Sequence, residues 1–179
     1  MTVKFAQNIP VKVTEDRVDE LIDLMHSLAR KELLVGIPAA SAGRVAEDGK
    51  APDVDNATLG YVHEYGLPEK NIPPRPFLIP GVQDAREPIA KKLEAGARQG
   101  LGGDRQAAEN ALDAAGLIAQ SAVRRKITEG PFVPLAPRTL AGRRARGRTG
   151  EKPLIDTGQL RRSVTYVIRE VEDDGETSS

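Results

Sequence analysis

Between Asp104 and about residue 129 the chain carries one long helical pattern whose inward face is built largely of alanine. Asp104 is a good opening cap, and Ala108, Leu112, Ala115, Ile118, Ala119, Ala122 and Ile127 recur on one face at the spacings an amphipathic helix requires. Side chains this small let a neighbouring helix or sheet approach closely, so the rest of the molecule must be arranged at short range around this element. Little else competes as a nucleus. Only 3% of the 179 residues are aromatic and none is Trp, so the core must come from Leu, Val, Ile and Ala. Aromatic side chains bury the largest areas, and a core without them is thin. That suits a subunit whose stability is completed by neighbours.

The flanking patterns point to an α+β fold. Val3, Phe5, Val11 and Val13 suggest an extended arm. Thr14 caps a helix expected over 15–30, with Val18, Leu21, Ile22, Met25 and Leu28 as its apolar face. Residues 32–38 (ELLVGIP) read as a buried strand. Residues 39–55 are rich in small and polar side chains and form a long mobile loop, for which partner contact is one explanation. Asp55 or Asn56 opens a short helix ending at Tyr65, with Gly66 as a left-handed terminator.

Pro73, Pro74, Pro76 and Pro80 make 72–80 extended chain or edge strand. A helix follows over 82–97, with Pro88 inside it, and Gly100, Gly102 and Gly103 form a hinge. The segment 130–153 is a second long loop holding a short helix at 137–146. Asp156 or Thr157 caps a helical turn leading into a final strand over 163–171. The expected architecture is one domain over 1–171. It is a small antiparallel or mixed sheet packed against two to three longer helices, with partner-binding loops near 39–55 and 130–153 and a flexible acidic tail at 172–179.

Charge and cysteine content narrow the chemistry. Twenty-six Lys and Arg balance twenty-six Asp and Glu, which argues against a general nucleic-acid binder. With no Cys, disulfides, thiolate chemistry and Cys-based zinc sites are excluded. No apolar run reaches membrane-spanning length and no signal-peptide pattern opens the chain, so a cytoplasmic site of synthesis is expected.

His63-Glu64 invites a metalloprotease reading, but position 67 is Leu and the only other histidine is His26, so the paired imidazoles of that motif are missing. The expected arrangement is a short helix whose Tyr61, Val62 and Tyr65 pack, with His63 and Glu64 at a surface or interface. Ser41 and Ser163 lack a local base. Gly100-Leu101-Gly102-Gly103 lacks the Lys-Ser/Thr of a phosphate loop. No catalytic, metal or cofactor-binding residue is assigned, and no cofactor is expected. Arg138, Arg143, Arg144, Arg146 and Arg148 form the most basic segment. It is a candidate for partner contact, for proximity to DNA or for plain solvation as a loop, without the interleaved aromatics that stack on bases.

Two stretches resemble a known family. Ala57-Thr58-Leu59-Gly60-Tyr61-Val62-His63-Glu64-Tyr65-Gly66, followed by Ile72-Pro73-Pro74-Arg75-Pro76-Phe77-Leu78, is similar to a signature of bacteriophage virion-morphogenesis, neck and tail-completion proteins of Mu-like and lambda-like phages. Pro134-Leu135-Ala136-Pro137-Arg138-Thr139-Leu140, then Pro153-Leu154-Ile155-Asp156-Thr157-Gly158-Gln159-Leu160-Arg161-Arg162-Ser163, resembles the ending of the same group. Tyr65 and Pro74 stand where Phe and Ala are commoner, and the match stops short of the acidic tail.

The resemblance implies a structural, non-enzymatic virion protein. It would be one subunit of a homo-oligomeric, hexameric ring joining head connector to tail, in contact with other neck, connector or tail-tube proteins and near the genomic DNA. Tyr61, His63, Glu64, Arg75, Phe77, Asp156, Thr157, Gly158 and Leu160 are then interface or fold-specifying residues. The alternative is a DNA-binding accessory protein that uses the arginines of 138–148.

Overall fold

The structure, a computed structural model, describes residues 17–45 and 54–171. The readings made for the N-terminal arm and its Thr14 cap, for residues 46–53 and for the acidic tail 172–179 lie outside the described residues. Along the chain come α1 (Val18–Ala29), β1 (Lys31–Gly36), α2 (Ala39–Ala42), α3 (Asn56–Tyr65), α4 (Leu78–Asp84), α5 (Arg86–Leu101), α6 (Arg105–Glu129), α7 (Pro137–Ala145), α8 (Gln159–Ser163) and β2 (Thr165–Glu170). The fold is α+β, with a two-stranded antiparallel sheet and the longer helices packed around it.

The alanine-lined helix α6 is the axis of the molecule. It touches α4, α5, α8 and both strands, and Asp104 caps it by accepting from the Ala107 amide at 3.0 Å. Its partners approach through glycine. A Cβ built on Gly96 of α5 would lie 2.1 Å from the Ala111 Cβ, and one on Gly81 of α4 would lie 2.8 Å from the Val123 Cα. The sheet does the same at Gly116, where the Tyr166 ring lies against the α6 backbone. A two-stranded ribbon is marginal by itself and needs a packed layer. Here α6 supplies that layer and is stitched to the sheet by Lys31–Glu109 at 3.1 Å and Thr165–Gln120 at 3.0 Å. At one end of α6 the core gathers Phe77, Val123, Ile127, Leu154, Leu160 and Val164.

Several expectations are corrected. Helix 82–97 is two helices that break at Ala85. Pro88 has no N–H to donate to the Asp84 carbonyl and its ring would collide with it, so α5 restarts with Pro88 in its first turn. The extended stretch of prolines ends at Phe77, because Leu78–Pro80 already belong to α4. Gly100 lies inside α5 and packs against Ala108 and Leu24, leaving Gly102 and Gly103 as the turn into α6.

Residues 39–42, expected in a loop, form α2, which Ser41 ties to the Ser163 carbonyl at 2.8 Å. Gly66 has φ 80 and ψ 174, so it reverses the chain without being a left-handed cap. The residue before α8 is Gly158 at φ 75, with no side-chain cap. The Asp156 carboxylate is turned instead toward arginines. On α1 the buried side chain is Leu24, while Val18, Ile22 and Met25 are exposed.

Ala in place of Gly normally stabilises a helix by up to about 1 kcal/mol. Gly96→Ala should instead cost about 1–3 kcal/mol because two helix backbones must separate, read as a lower urea midpoint. An unchanged midpoint would mean that α5 and α6 are not in close contact.

Candidate functional site

The residues that carry the family resemblance converge on the contact between α3, α4 and α8. Asp55 starts α3 by accepting from the Thr58 amide at 2.7 Å, and these hydrogen bonds hold its carboxyl below the usual carboxylate range. Asn56, Gly60 and Glu64 follow at intervals of four and share the buried face. Gly60 is the contact point: a Cβ there would lie 2.9 Å from Ile37, 3.6 Å from Phe77 and 3.7 Å from Leu160. This rotation corrects the expected arrangement of α3. Tyr61 and Tyr65 point outward as a tilted pair with ring centroids 4.8 Å apart, and Glu64 is buried.

Glu64 is buried for a definite reason. Its Oε2 accepts from the Phe77 and Leu78 amides at 2.7 and 2.8 Å, and its Oε1 accepts from Ile79 at 3.0 Å. The first amides of a helix have no partner inside it. One carboxylate from α3 takes three of them at the start of α4, and Pro80 has no amide to satisfy. The negative charge also sits at the positive end of the helix dipole. With both oxygens engaged by backbone donors, Glu64 is a strut between α3 and α4, not a base poised over a substrate.

Arg75 is the second strut. The prolines on either side hold it extended, and its backbone amide donates to the His63 carbonyl at 2.6 Å. Its Nε donates to the Val133 carbonyl at 2.8 Å and its Nη2 to Pro134 at 3.0 Å, which pins the start of the 130–153 segment. Burial lowers the Arg75 pKa below its ordinary value. His63 lies beside this guanidinium with its Nδ1 buried and without a hydrogen-bond partner among the described residues. Desolvation, and then the charges of Arg75 and Arg44, push its pKa down to about 4, so the imidazole is neutral at pH 7. Among the described residues no group of three or more His, Asp or Glu is placed to hold a metal ion.

The second half of the resemblance forms a clamp. Asp156 takes Arg143 at 3.3 Å and Arg148 at 2.6 Å. Arg143 is buried and also donates to the Gly150 and Lys152 carbonyls at 2.8 and 3.0 Å. Thr157 accepts weakly from the Gln159 amide at 3.4 Å, and Leu160 enters the core beside Phe77. Arg144 pairs with Glu151 at 3.0 Å. Of the five arginines singled out, only Arg138 and Arg146 are exposed and without an ion-pair partner among the described residues. The glycine-rich turn before α6 is likewise filled from within, since the Arg17 guanidinium lies against Gly103.

Comparison with models of protein families, with curated proteins and with solved structures finds no match to this chain. The geometry is therefore read from the residues themselves. Asn56, read from the sequence only as a possible helix cap, is buried, and its Nδ2 donates to the Gly43 carbonyl at 3.0 Å. Sequence reasoning missed Arg124, whose guanidinium closes the end of α8 by donating to the Val164 carbonyl at 2.8 Å. The Asn56-Gly60-Glu64 spacing was the available signal for the buried face of α3. Nothing local in the sequence marks Arg124.

Two outcomes follow. Glu64→Ala leaves three amides without their acceptor and should cost about 3 kcal/mol, measured by urea unfolding at pH 7; an unchanged midpoint would exclude the strut. For His63 the folded pKa lies below the unfolded value of 6.5, so between the two the unfolded chain binds more protons. Stability is then unaffected above pH 6.5 and is lost as pH falls toward 4, by about 3 kcal/mol in all. A His63→Gln protein should lose less stability than the wild type between pH 7 and pH 4, and equal losses would place the histidine in water.

Proposed function

We propose that this chain is a structural subunit of a tailed-phage virion, a neck or tail-completion protein that assembles as a ring with copies of itself and joins head connector to tail. The observation that carries this reading is the position of its large apolar side chains. The centre of the molecule is packed with alanine, while Val18, Ile22 and Met25 on α1, the cross-strand pair Leu34 and Val167, and the Tyr61–Tyr65 pair lie exposed. Scattered exposed apolar residues are ordinary, but grouped ones mark surfaces that meet other proteins. Neither strand has a second neighbour among the described residues, and an open edge can accept a strand from another chain.

The resemblance supports the same reading from another side. Its most specific residues, Glu64, Arg75, Phe77, Asp156 and Leu160, are spent on internal ties. A signature built on such ties belongs to a scaffold more than to an active site. The alternative of DNA binding through 138–148 is weakened because Arg143, Arg144 and Arg148 are already paired with carboxylates.

Light scattering of the full chain, alone and with connector and tail proteins of its phage, should find a closed oligomer, and purified virions should contain it. Ile22→Glu with Met25→Glu should reduce the oligomer to monomer with an unchanged far-ultraviolet circular dichroism spectrum. A monomer that is absent from virions would end the proposal.

A further inference from the structure

The balanced total charge conceals an uneven distribution. Over the whole chain twenty-six Lys and Arg balance twenty-six Asp and Glu. Many of those cations are matched: Arg17, Lys31, Lys91, Arg98, Lys126, Arg143, Arg144, Arg148 and Arg169 all have carboxylate partners. Of the fourteen described cations without such a partner, four gather where the end of α6 meets α8. There a cleft of about 390 Å³ is lined by Arg124, Arg125, Thr128, Glu129, Arg161 and Arg162. None of these four arginines has a carboxylate within ion-pair distance among the described residues, although Glu129 stands in the same cleft.

The arginines differ in their tasks. Arg124 is held by the Val164 and Arg162 carbonyls, and Arg161 reaches the Thr128 hydroxyl at 3.3 Å. The guanidinium groups of Arg125 and Arg162 make no hydrogen bond among the described residues. A second hollow of about 180 Å³ shares Arg125 and Glu129 and is lined also by Lys126 and its ion-pair partner Asp84. The first cleft is therefore the cationic one, a groove lined by four arginines and a single carboxylate, Glu129.

We propose that this groove binds the phosphate backbone of nucleic acid, without regard to base sequence. Guanidinium forks match phosphate oxygens in pairs of hydrogen bonds. No large apolar or aromatic side chain lines the cleft to recognise peptide side chains or to stack on bases, and a phosphate backbone needs neither. The site differs from the 138–148 segment, whose charge is largely matched internally. It stands on the cleft alone and does not require the ring.

The test is fluorescence anisotropy of the full chain with a labelled duplex of about 20 base pairs, a length that exceeds the groove. Three phosphate contacts, from Arg125, Arg161 and Arg162, should weaken binding about 40-fold between about 50 and about 200 mM salt. Arg161→Glu with Arg162→Glu should abolish binding while circular dichroism and the urea midpoint stay near wild type. Arg161→Lys with Arg162→Lys should retain most of it, and Arg138→Ala with Arg146→Ala should change it little. No binding at low salt would overturn the proposal, as would equal binding by the charge-reversed protein. So would a groove that takes an acidic peptide spanning 170–179 in preference to duplex. Failure here leaves the ring reading intact, and a monomeric protein that binds duplex through these arginines leaves the groove intact.

Discussion

The carboxylate of Glu64, buried against the first turn of α4, is the contact on which the rest of the structure depends. A helix end in a protein interior is costly unless its amides find acceptors. Here the acceptor comes from another helix, so α3 and α4 are ordered together. Because α4 lies on α6 through Gly81, and Phe77 at its start fills the space beside Gly60 and Leu160, the one ionic group sets the relative positions of α3, α4, α6 and α8. Arg75 extends the same logic outward. It ties the proline-held chain to α3 through its backbone and to residues 133–134 through its side chain. Asp156 ends the series by clamping Arg143 and Arg148.

This design explains how a chain so poor in aromatic residues holds a defined shape. Burying apolar surface is the main favourable term in folding, and its size follows the area removed from water. Alanine buries little, so the gain along α6 comes from close approach of backbones, permitted by Gly81, Gly96 and Gly116. Buried polar ties then supply the direction that a thin core does not. Such ties are demanding, because each becomes a liability if one partner is lost.

The outer surface follows from the same economy of side chains. With alanine facing inward, Val18, Ile22, Met25, Leu34 and Val167 are left outside. Assembly with copies and neighbouring proteins would cover them, and the arginine groove lies on the separate corner formed by α6 and α8. The proposed function thus divides the surface into apolar areas for protein contact and a cationic one for phosphate.

Local patterns were sufficient for much of this. The α+β class, the two strands, and helices α1, α3, α6 and α7 can be read from periodicity, caps and proline positions, because those signals act within a few residues of where they are written. So can the exclusion of a paired-histidine zinc motif. Which way each helix turns could not be read in the same manner. Tyr61 and Tyr65 looked like core residues and are exposed, Glu64 looked like a surface residue and is buried, and Asp156 looked like a helix cap and is an arginine clamp. The same holds for Arg143, Arg144 and Arg148, whose partners Glu151 and Asp156 come into range only when the chain folds back. By itself, then, the sequence determined the fold class, the two strands, helices α1, α3, α6 and α7, and the small-residue seam along α6. Only the tertiary structure decided which polar group meets which backbone amide and where unmatched charge collects, since those depend on distances between residues far apart in the chain.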